Sequence, residues 1–233
     1  ISFALPTRGL VDLRVFDDVM VLTGCGVGGT SLINAGVSTL PTDEVLADRR
    51  WPAELRNDPE WPKDFARVGD TVGTTELPDD LRPNKLAALE AMGSTPGIDG
   101  DTTRAPLNVA FCDGPNLAGE QMAACNGCGN CVTGCNVGAK ETYDRNYLSL
   151  ARSHGAQVFS SCSVKRVEAT AHGWALVVCD TRRPGSCRRV EADRVVLAAG
   201  ALGSTEILLR SRAEGLDLSD MVGHRFSGNG ELI

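Results

Sequence analysis

Two stretches carry residue types whose spacing could do chemistry. The first, Thr23 to Gly36, reads T-G-C-G-V-G-G-T-S-L-I-N-A-G and places Gly24, Gly26, Gly28 and Gly29 directly after the apolar run Val19-Met20-Val21-Leu22. Glycine permits positive φ and close main-chain approach, so such a segment can turn consecutive N–H groups towards phosphate or a flat heteroaromatic ring. Gly24, Gly26 and Gly29 satisfy G-x-G-x-x-G, a spacing that a plain glycine turn also satisfies. The second stretch, Cys125-x2-Cys128-x2-Cys131-x3-Cys135, has the spacing of a bacterial ferredoxin cluster segment. Gly127, Gly129 and Gly134 would let that loop wrap a cluster, but Asn136 stands where the ferredoxin run has proline. Free or paired thiols, an iron–sulfur cluster and another metal all remain open on these residues.

Elements must position both stretches. The Val19–Leu22 run predicts a strand feeding the glycines, and a dinucleotide fold would next require a helix, a second strand and an acidic residue about 20 positions on. Asp43 and Glu44 fall near that distance but follow Pro41, with no strand-like run before them. Residues 1–15 lack clean periodicity and read as strand or loop. Residues 40–83 are rich in proline, acid and tryptophan, which predicts an irregular cap with short helices, Trp51 and Trp61 serving as packing anchors. Asn84–Met92 has helical spacing, and residues 94–124 read as a long loop region.

Beyond Glu141 the pattern becomes regular. A helix is expected from about Tyr143 to Gly155, then a short strand at Gln157–Ser160. Ser163–Ala169 and Trp174–Cys179 alternate as an antiparallel pair, and a further strand is expected around Arg189–Glu191. Arg194–Ala199 reads as a strand buried on both faces, ending at Gly200 and followed by a helix over Ser204–Arg210.

Composition bounds the remaining choices. With 233 residues, 42% of them hydrophobic, the chain can bury a sizeable core, and a formal charge of −7 argues against nucleic-acid or anionic-membrane partners. No apolar run approaches the about 20 residues of a membrane span. Nine cysteines, four of them within eleven residues, favour thiols or metal ligands over a secreted disulfide framework, and Cys25, Cys112, Cys162, Cys179 and Cys187 read as packing residues or surface thiols. The cytoplasm is expected, with the reservation that a signal peptide could lie outside the sequence. The start at Ile1 and the close on Glu231-Leu232-Ile233 suggest an internal part of a longer protein.

The pattern G-x-G-x-G-G-T-S-L-I-N resembles the second glycine-rich segment of the glucose-methanol-choline flavoprotein oxidoreductases. Four later stretches look like that family's cholesterol-oxidase branch, in order and spacing: G-C-N-V-G-A-K-E-T-Y-D-R-N-Y-L, S-C-S-V-K-R-V, V-V-L-A-A-G-A-L-G-S-T-E-I-L-L-R and G-H-R-F-S-G-N-G-E-L-I. The resemblance implies an α/β fold: part of an FAD/NAD(P)-binding Rossmann-like domain with a β-meander crossover, plus an irregular cap or substrate region. It divides the chain into 1–39, a flavin-contacting glycine segment; 40–124, the cap; 125–140, the cysteine loop; and 141–233, the rest of the FAD domain.

The resemblance also implies FAD, held by Gly24, Gly26, Gly28, Gly29, Thr30, Ser31, Asn34 and Gly36 beside the ring, by the backbone of Val164 at the adenine, and by Gly200, Asn229 and Gly230. The implied reaction oxidises an alcohol, with a sterol among the candidates, to a carbonyl compound, with hydride passing to the flavin and on to an electron acceptor. The family's catalytic histidine and its companion find no match here. His154, His172 and His224 read as surface or capping residues, no catalytic residue is assigned, and the isolated chain is expected to be inactive. An iron–sulfur electron-transfer or scaffold module on Cys125, Cys128, Cys131 and Cys135, and a nicotinamide-dependent reductase built on the Gly24 motif, are the competing readings.

Overall fold

A computed structural model describes residues 3–4, 9–56, 58–93, 95–97 and 103–228. The chain divides into two compact units, Ile1–Val158 and Phe159–Ile233. Helices and strands are mixed in both.

The first unit opens with an antiparallel sheet in the order β1 (Phe3–Ala4), β2 (Val11–Val15), β3 (Met20–Gly24). The register pairs Val15 with Met20 and Val11 with Gly24, and the Phe16 N–H closes the turn on the Val19 carbonyl at 2.9 Å. The strand predicted before the glycines is thus present, one residue shorter at its start, and the ambiguous segment before it supplies its partner. Among residues 40–93 lie α1 (Asp43–Leu46), α2 (Trp61–Thr71), β4 (Thr74–Thr75) and α3 (Asn84–Gly93). The indole N–H groups of Trp51 and Trp61 donate to the carbonyls of Val45 and Leu55 at 2.9 and 2.8 Å, and Trp61 stacks on Phe65. Each indole is thus tied to main chain six residues before it.

The region expected to be a long loop holds the hub of the unit. Here β5 (Leu107–Asn108) pairs with β4, and bridges join Val37 to Leu107 and Val109 to Lys140. Asn108 donates its N–H to the Gly36 carbonyl at 2.7 Å and accepts the Glu141 N–H at 2.9 Å, so one residue fastens the end of the glycine segment to the run after the cysteines. A hairpin of β6 (Gly114–Pro115) and β7 (Gln121–Met122) follows. Ile33, Val72, Val109, Met122 and Ala139 are buried around this hub.

In the run 139–146, Ala139, Lys140, Glu141, Thr142 and Asn146 are buried, four of these five being polar. Buried polar groups must find partners, and all but one in this run do, the exception being Asp144 Oδ1. Asn116 Nδ2 donates to Glu141 Oε2 at 2.8 Å and to the Arg145 carbonyl at 3.0 Å, and Arg145 donates to the carbonyls of Gly138 and Gln121. Fully buried Asn146 accepts the Tyr147 N–H at 2.6 Å, and α4 (Tyr147–Ser153) starts only there, four residues later than the periodicity predicts.

The second unit is an antiparallel sheet of β8 (Cys162–Thr170), β9 (Gly173–Asp180) and β10 (Cys187–Ala192), neighbours in chain order, with α5 (Gly200–Ala213) packed on β8. A bulge at Lys165 interrupts the register between Val164 and Arg166, and Arg210 Nε holds the Lys165 carbonyl at 2.6 Å. Ser211, 1% exposed, accepts the Val167 N–H at 2.9 Å and donates to the Ile207 carbonyl at 2.7 Å. Cys179 and Cys187, which face each other across β9 and β10, form a disulfide; the expectation that they are thiols is corrected by that register.

Two expected strands do not form. Gln157–Ser160 carries no strand, and Arg194–Ala199 is irregular and unpaired, with Val196 88% exposed. An apolar run becomes a buried strand only when neighbours supply ladder bonds on its sides, and no strand among the described residues pairs with it. No helix among the described residues is long and apolar enough to cross a membrane.

Candidate functional site

The glycine segment folds as one tight unit at the end of β3. Gly24 packs so closely that a Cβ on it would sit 2.3 Å from the Gly29 carbonyl oxygen, and its N–H donates to Thr30 Oγ1 at 3.2 Å. Gly28 (φ 106°) and Gly29 (φ 59°) adopt the left-handed backbone and start a 3₁₀ turn over Gly29–Leu32, with the Gly29 N–H on the Gly26 carbonyl at 3.0 Å. Gly29 faces open space, with nothing within 4 Å of its Cβ position. The glycines therefore serve different ends: Gly24 lets the chain fold onto itself, and Gly29 supplies the left-handed backbone of the turn, with open space only where a side chain would start.

Ser31 rivets the turn. Its buried hydroxyl donates to the Gly28 carbonyl at 2.6 Å and accepts the Tyr143 N–H at 2.9 Å. The Thr30 carbonyl takes the N–H groups of Ile33 and Asn34, both at 3.0 Å, and Asn34 Oδ1 accepts the Gly36 N–H at 3.3 Å. Gly24, Gly26, Gly28, Gly29, Thr30, Ser31, Asn34 and Gly36 thus lie along one hydrogen-bonded stretch of chain, with Ser31 and Gly36 buried in it.

Lys140 joins this stretch to the cysteine loop. Its side chain, 2% exposed, donates to the Asn34 carbonyl at 2.6 Å and to the Cys131 carbonyl at 3.0 Å. Burial holds its pKa below the usual lysine range, against the opposing pull of the Cys131 and Cys135 thiols. Sequence reasoning passed over Lys140 because a single lysine in a polar string has no period or motif to mark it.

The cysteine loop winds through Gly127, Gly129 and Gly134, all at positive φ, with a 3₁₀ turn at Cys131–Thr133. Burial pushes the Cys131 thiol up. At Cys135 burial pushes the same way but is outweighed by backbone N–H groups of residues 137–140 around the sulfur, which bring the thiol below its ordinary value. All four cysteines are free thiols, and among the described residues no three Cys, His, Asp or Glu side chains gather so as to hold a metal ion. The metal expectation for Cys125, Cys128, Cys131 and Cys135 therefore finds no support among the described residues.

The remaining expected residues lie elsewhere. Val164 sits in β8 beside the bulge, and Gly200 (φ 73°) is the first residue of α5, with open space at its Cβ position; both belong to the second unit. Asn229 and Gly230 lie outside the described residues. His154 ends α4 with Nδ1 2.9 Å from the Leu150 carbonyl, His172 occupies the β8–β9 turn, and the His224 N–H donates to the Met221 carbonyl.

Comparison with known proteins gives this geometry a context. The family model described as GMC oxidoreductase matches residues 8–227. A cholesterol oxidase of Acinetobacter baumannii is 28% identical over 256 aligned positions, covering 97% of this chain and 44% of that protein. A cholesterol oxidase of Mycobacterium tuberculosis (strain ATCC 25618 / H37Rv) is 30% identical over 230 positions, covering 91% of this chain and 39% of that protein. An uncharacterised GMC-type oxidoreductase of the same strain is 30% identical over 209 positions, 90% of this chain and 30% of that protein. The chain therefore spans roughly two fifths of the length of the cholesterol oxidases it matches.

Proposed function

The chain belongs to the GMC oxidoreductase family, and from that premise we propose that the protein is an FAD-dependent oxidoreductase that converts an alcohol, in the first instance a sterol, into a carbonyl compound. The observation that carries this reading is the tight glycine turn after β3, in which Gly24 is closed against Gly29 while open space lies where a Gly29 side chain would start. A turn with glycine at three of its positions supports this reading, since it leaves room for a flat ring and its phosphate tail to approach the chain.

Gly28, Gly29, Asn34 and Gly36 would lie along the ring, with Gly24, Gly26, Thr30 and Ser31 keeping that main chain in shape. Val164 would offer its backbone to adenine, and Gly200, Asn229 and Gly230 would border the dinucleotide in a Rossmann-like domain whose crossover is the β8–β10 sheet. When bound, the flavin supplies the acceptor for a hydride from the alcohol carbon. The part of this chain is to bind and orient; no residue of it is assigned as the base that takes the hydroxyl proton, and the chain alone is expected to be inactive.

The iron–sulfur and nicotinamide alternatives have no observation in their favour. Seven free cysteines carry the cytoplasmic expectation, while the Cys179–Cys187 disulfide weighs towards an oxidising compartment.

The test is purification of the full protein followed by flavin extraction and an alcohol screen with an artificial electron acceptor. Near one FAD per chain and acceptor reduction by cholesterol or a simpler secondary alcohol are expected. Absence of flavin, with none taken up from added FAD, would remove the proposal.

A further inference from the structure

The cysteine loop holds four free thiols, and its backbone brings two of them to one place. Cys131 opens the 3₁₀ turn Cys131–Thr133, and Gly134 follows at φ 90° and ψ 138°, a conformation that favours glycine and turns the chain ahead of Cys135. The sulfurs of Cys131 and Cys135 lie close enough to feel each other's charge, and both act on the same ammonium group, that of Lys140. Around the Cys135 sulfur stand the backbone N–H groups of residues 137–140, a concave array of donors suited to an anion. Burial alone would push that thiol up, but these donors outweigh it and bring the thiol below its ordinary value. Burial keeps Cys131 in the protonated form. The other two cysteines are placed differently: Cys125 Sγ accepts the Gly127 N–H at 3.4 Å, and Cys128 is exposed. A sulfur that ionises early, set beside a protonated second sulfur, is the arrangement of a nucleophile and its resolving partner.

We propose that Cys135 and Cys131 form a peroxide-reactive site that closes into a reversible disulfide, a modification independent of the cofactor reading above. In the first step the Cys135 thiolate attacks one oxygen of hydrogen peroxide. A sulfur–oxygen bond forms, the oxygen–oxygen bond breaks, and hydroxide leaves and takes a proton from solvent, so that Cys135 becomes a sulfenic acid and one water is released. In the second step the Cys131 sulfur attacks the Cys135 sulfur. The sulfur–sulfur bond forms, the sulfur–oxygen bond breaks, and the departing hydroxide takes the Cys131 proton as a second water. Two sulfurs are oxidised by one electron each, and the peroxide is reduced by two. Both sulfurs are half-buried, which favours a two-oxygen oxidant over a bulky disulfide.

The experiment treats the full, reduced protein with hydrogen peroxide, blocks the remaining thiols with one alkylating agent, then reduces and labels with a second. Trypsin leaves Cys112, Cys125, Cys128, Cys131 and Cys135 in one peptide, residues 105–140, in which fragmentation by mass spectrometry locates each label. The second label is expected on Cys131 and Cys135 together, while the exposed Cys112 and Cys128 keep the first. Cys135→Ser is expected to slow oxidation of Cys131 by about tenfold or more, and Cys128→Ser to stay within about twofold of the wild type. Cys131→Ser, which lacks the resolving thiol, is expected to hold Cys135 as the sulfenic acid, trapped by dimedone. The wild-type map alone decides the matter even where a variant fails to fold. Cys131 and Cys135 both carrying the first label after peroxide, a disulfide that joins another pair, or Cys135 passing straight to an irreversible sulfinic acid would each overturn the inference.

Discussion

Replacing Gly24 by alanine should break the glycine cradle, and its cost can be worked from the surroundings of the added methyl. The new Cβ would lie 2.3 Å from the Gly29 carbonyl oxygen and 2.8 Å from both the Gly29 carbonyl carbon and Thr30 Cα, all main-chain atoms that cannot rotate away. Relief requires the 3₁₀ turn to move by about 1 Å, an overpacking cost of about 1–3 kcal/mol. The same movement stretches the 3.2 Å bond from the Gly24 N–H to Thr30 Oγ1, worth about 0.5–1.5 kcal/mol. Alanine restricts the unfolded chain and returns about 0.4–1 kcal/mol, which leaves a net loss of about 0.5–4 kcal/mol, centred near about 2 kcal/mol. In a unit of this size the central value lowers the melting temperature by about 4–8 °C. Two neighbours serve as controls. At Gly26 the added methyl meets only the tip of Leu32, which can turn aside, and at Gly29 it meets nothing but inherits a φ of 59°, a strain of about 1–2 kcal/mol. Thermal melts and the ratio of flavin to protein absorbance of the three variants in the full protein are the assay. A Gly24→Ala protein that melts within 1 °C of the wild type with its flavin retained would refute the close approach on which this reasoning stands.

Further outcomes follow from other parts of the molecule. Ser211→Ala leaves the Val167 N–H without an acceptor at the α5–β8 contact and should cost about 1–3 kcal/mol, read by urea denaturation; Ser211→Thr should recover part of it. Cys179→Ala opens a loop of eight residues and should destabilise the second unit by about 2.5 kcal/mol on the chain-entropy relation, with the same loss in the wild type under reductant. Alkylation followed by mass spectrometry should label Cys135 at lower pH than Cys131. The Cys135 thiol is held down by backbone N–H groups and so reaches its thiolate first, whereas burial raises that of Cys131.

What could be read from the chain divides along a physical line. β3 and its glycines, α3 and the three strands of the second unit were legible because each follows a local period or a local need for bare backbone. Leu107–Val109 was not, since two- and three-residue strands amid glycine and proline are too short to show alternation, and their pairing with Thr74, Val37 and Lys140 is set by packing. The burial of Lys140, Glu141 and Asn146 has no period to mark it and shows only through partners such as Asn34, Asn116 and Tyr147. Arg194–Ala199 shows the converse: its composition fits a core strand, but composition alone supplies no ladder. The spacing of Cys179 and Cys187 suits a hairpin, yet only the register shows that they stand opposite each other.

The two fastenings of the glycine turn bridge large distances along the chain, 112 residues from Ser31 to Tyr143 and 106 from Asn34 to Lys140. During synthesis at about 5–20 residues per second, the turn would wait roughly 5–20 s before its clasps leave the ribosome. The cradle is thus among the last features of its unit to mature, and cofactor capture in the cell is expected to follow translation of the cysteine loop rather than accompany the emergence of the glycines.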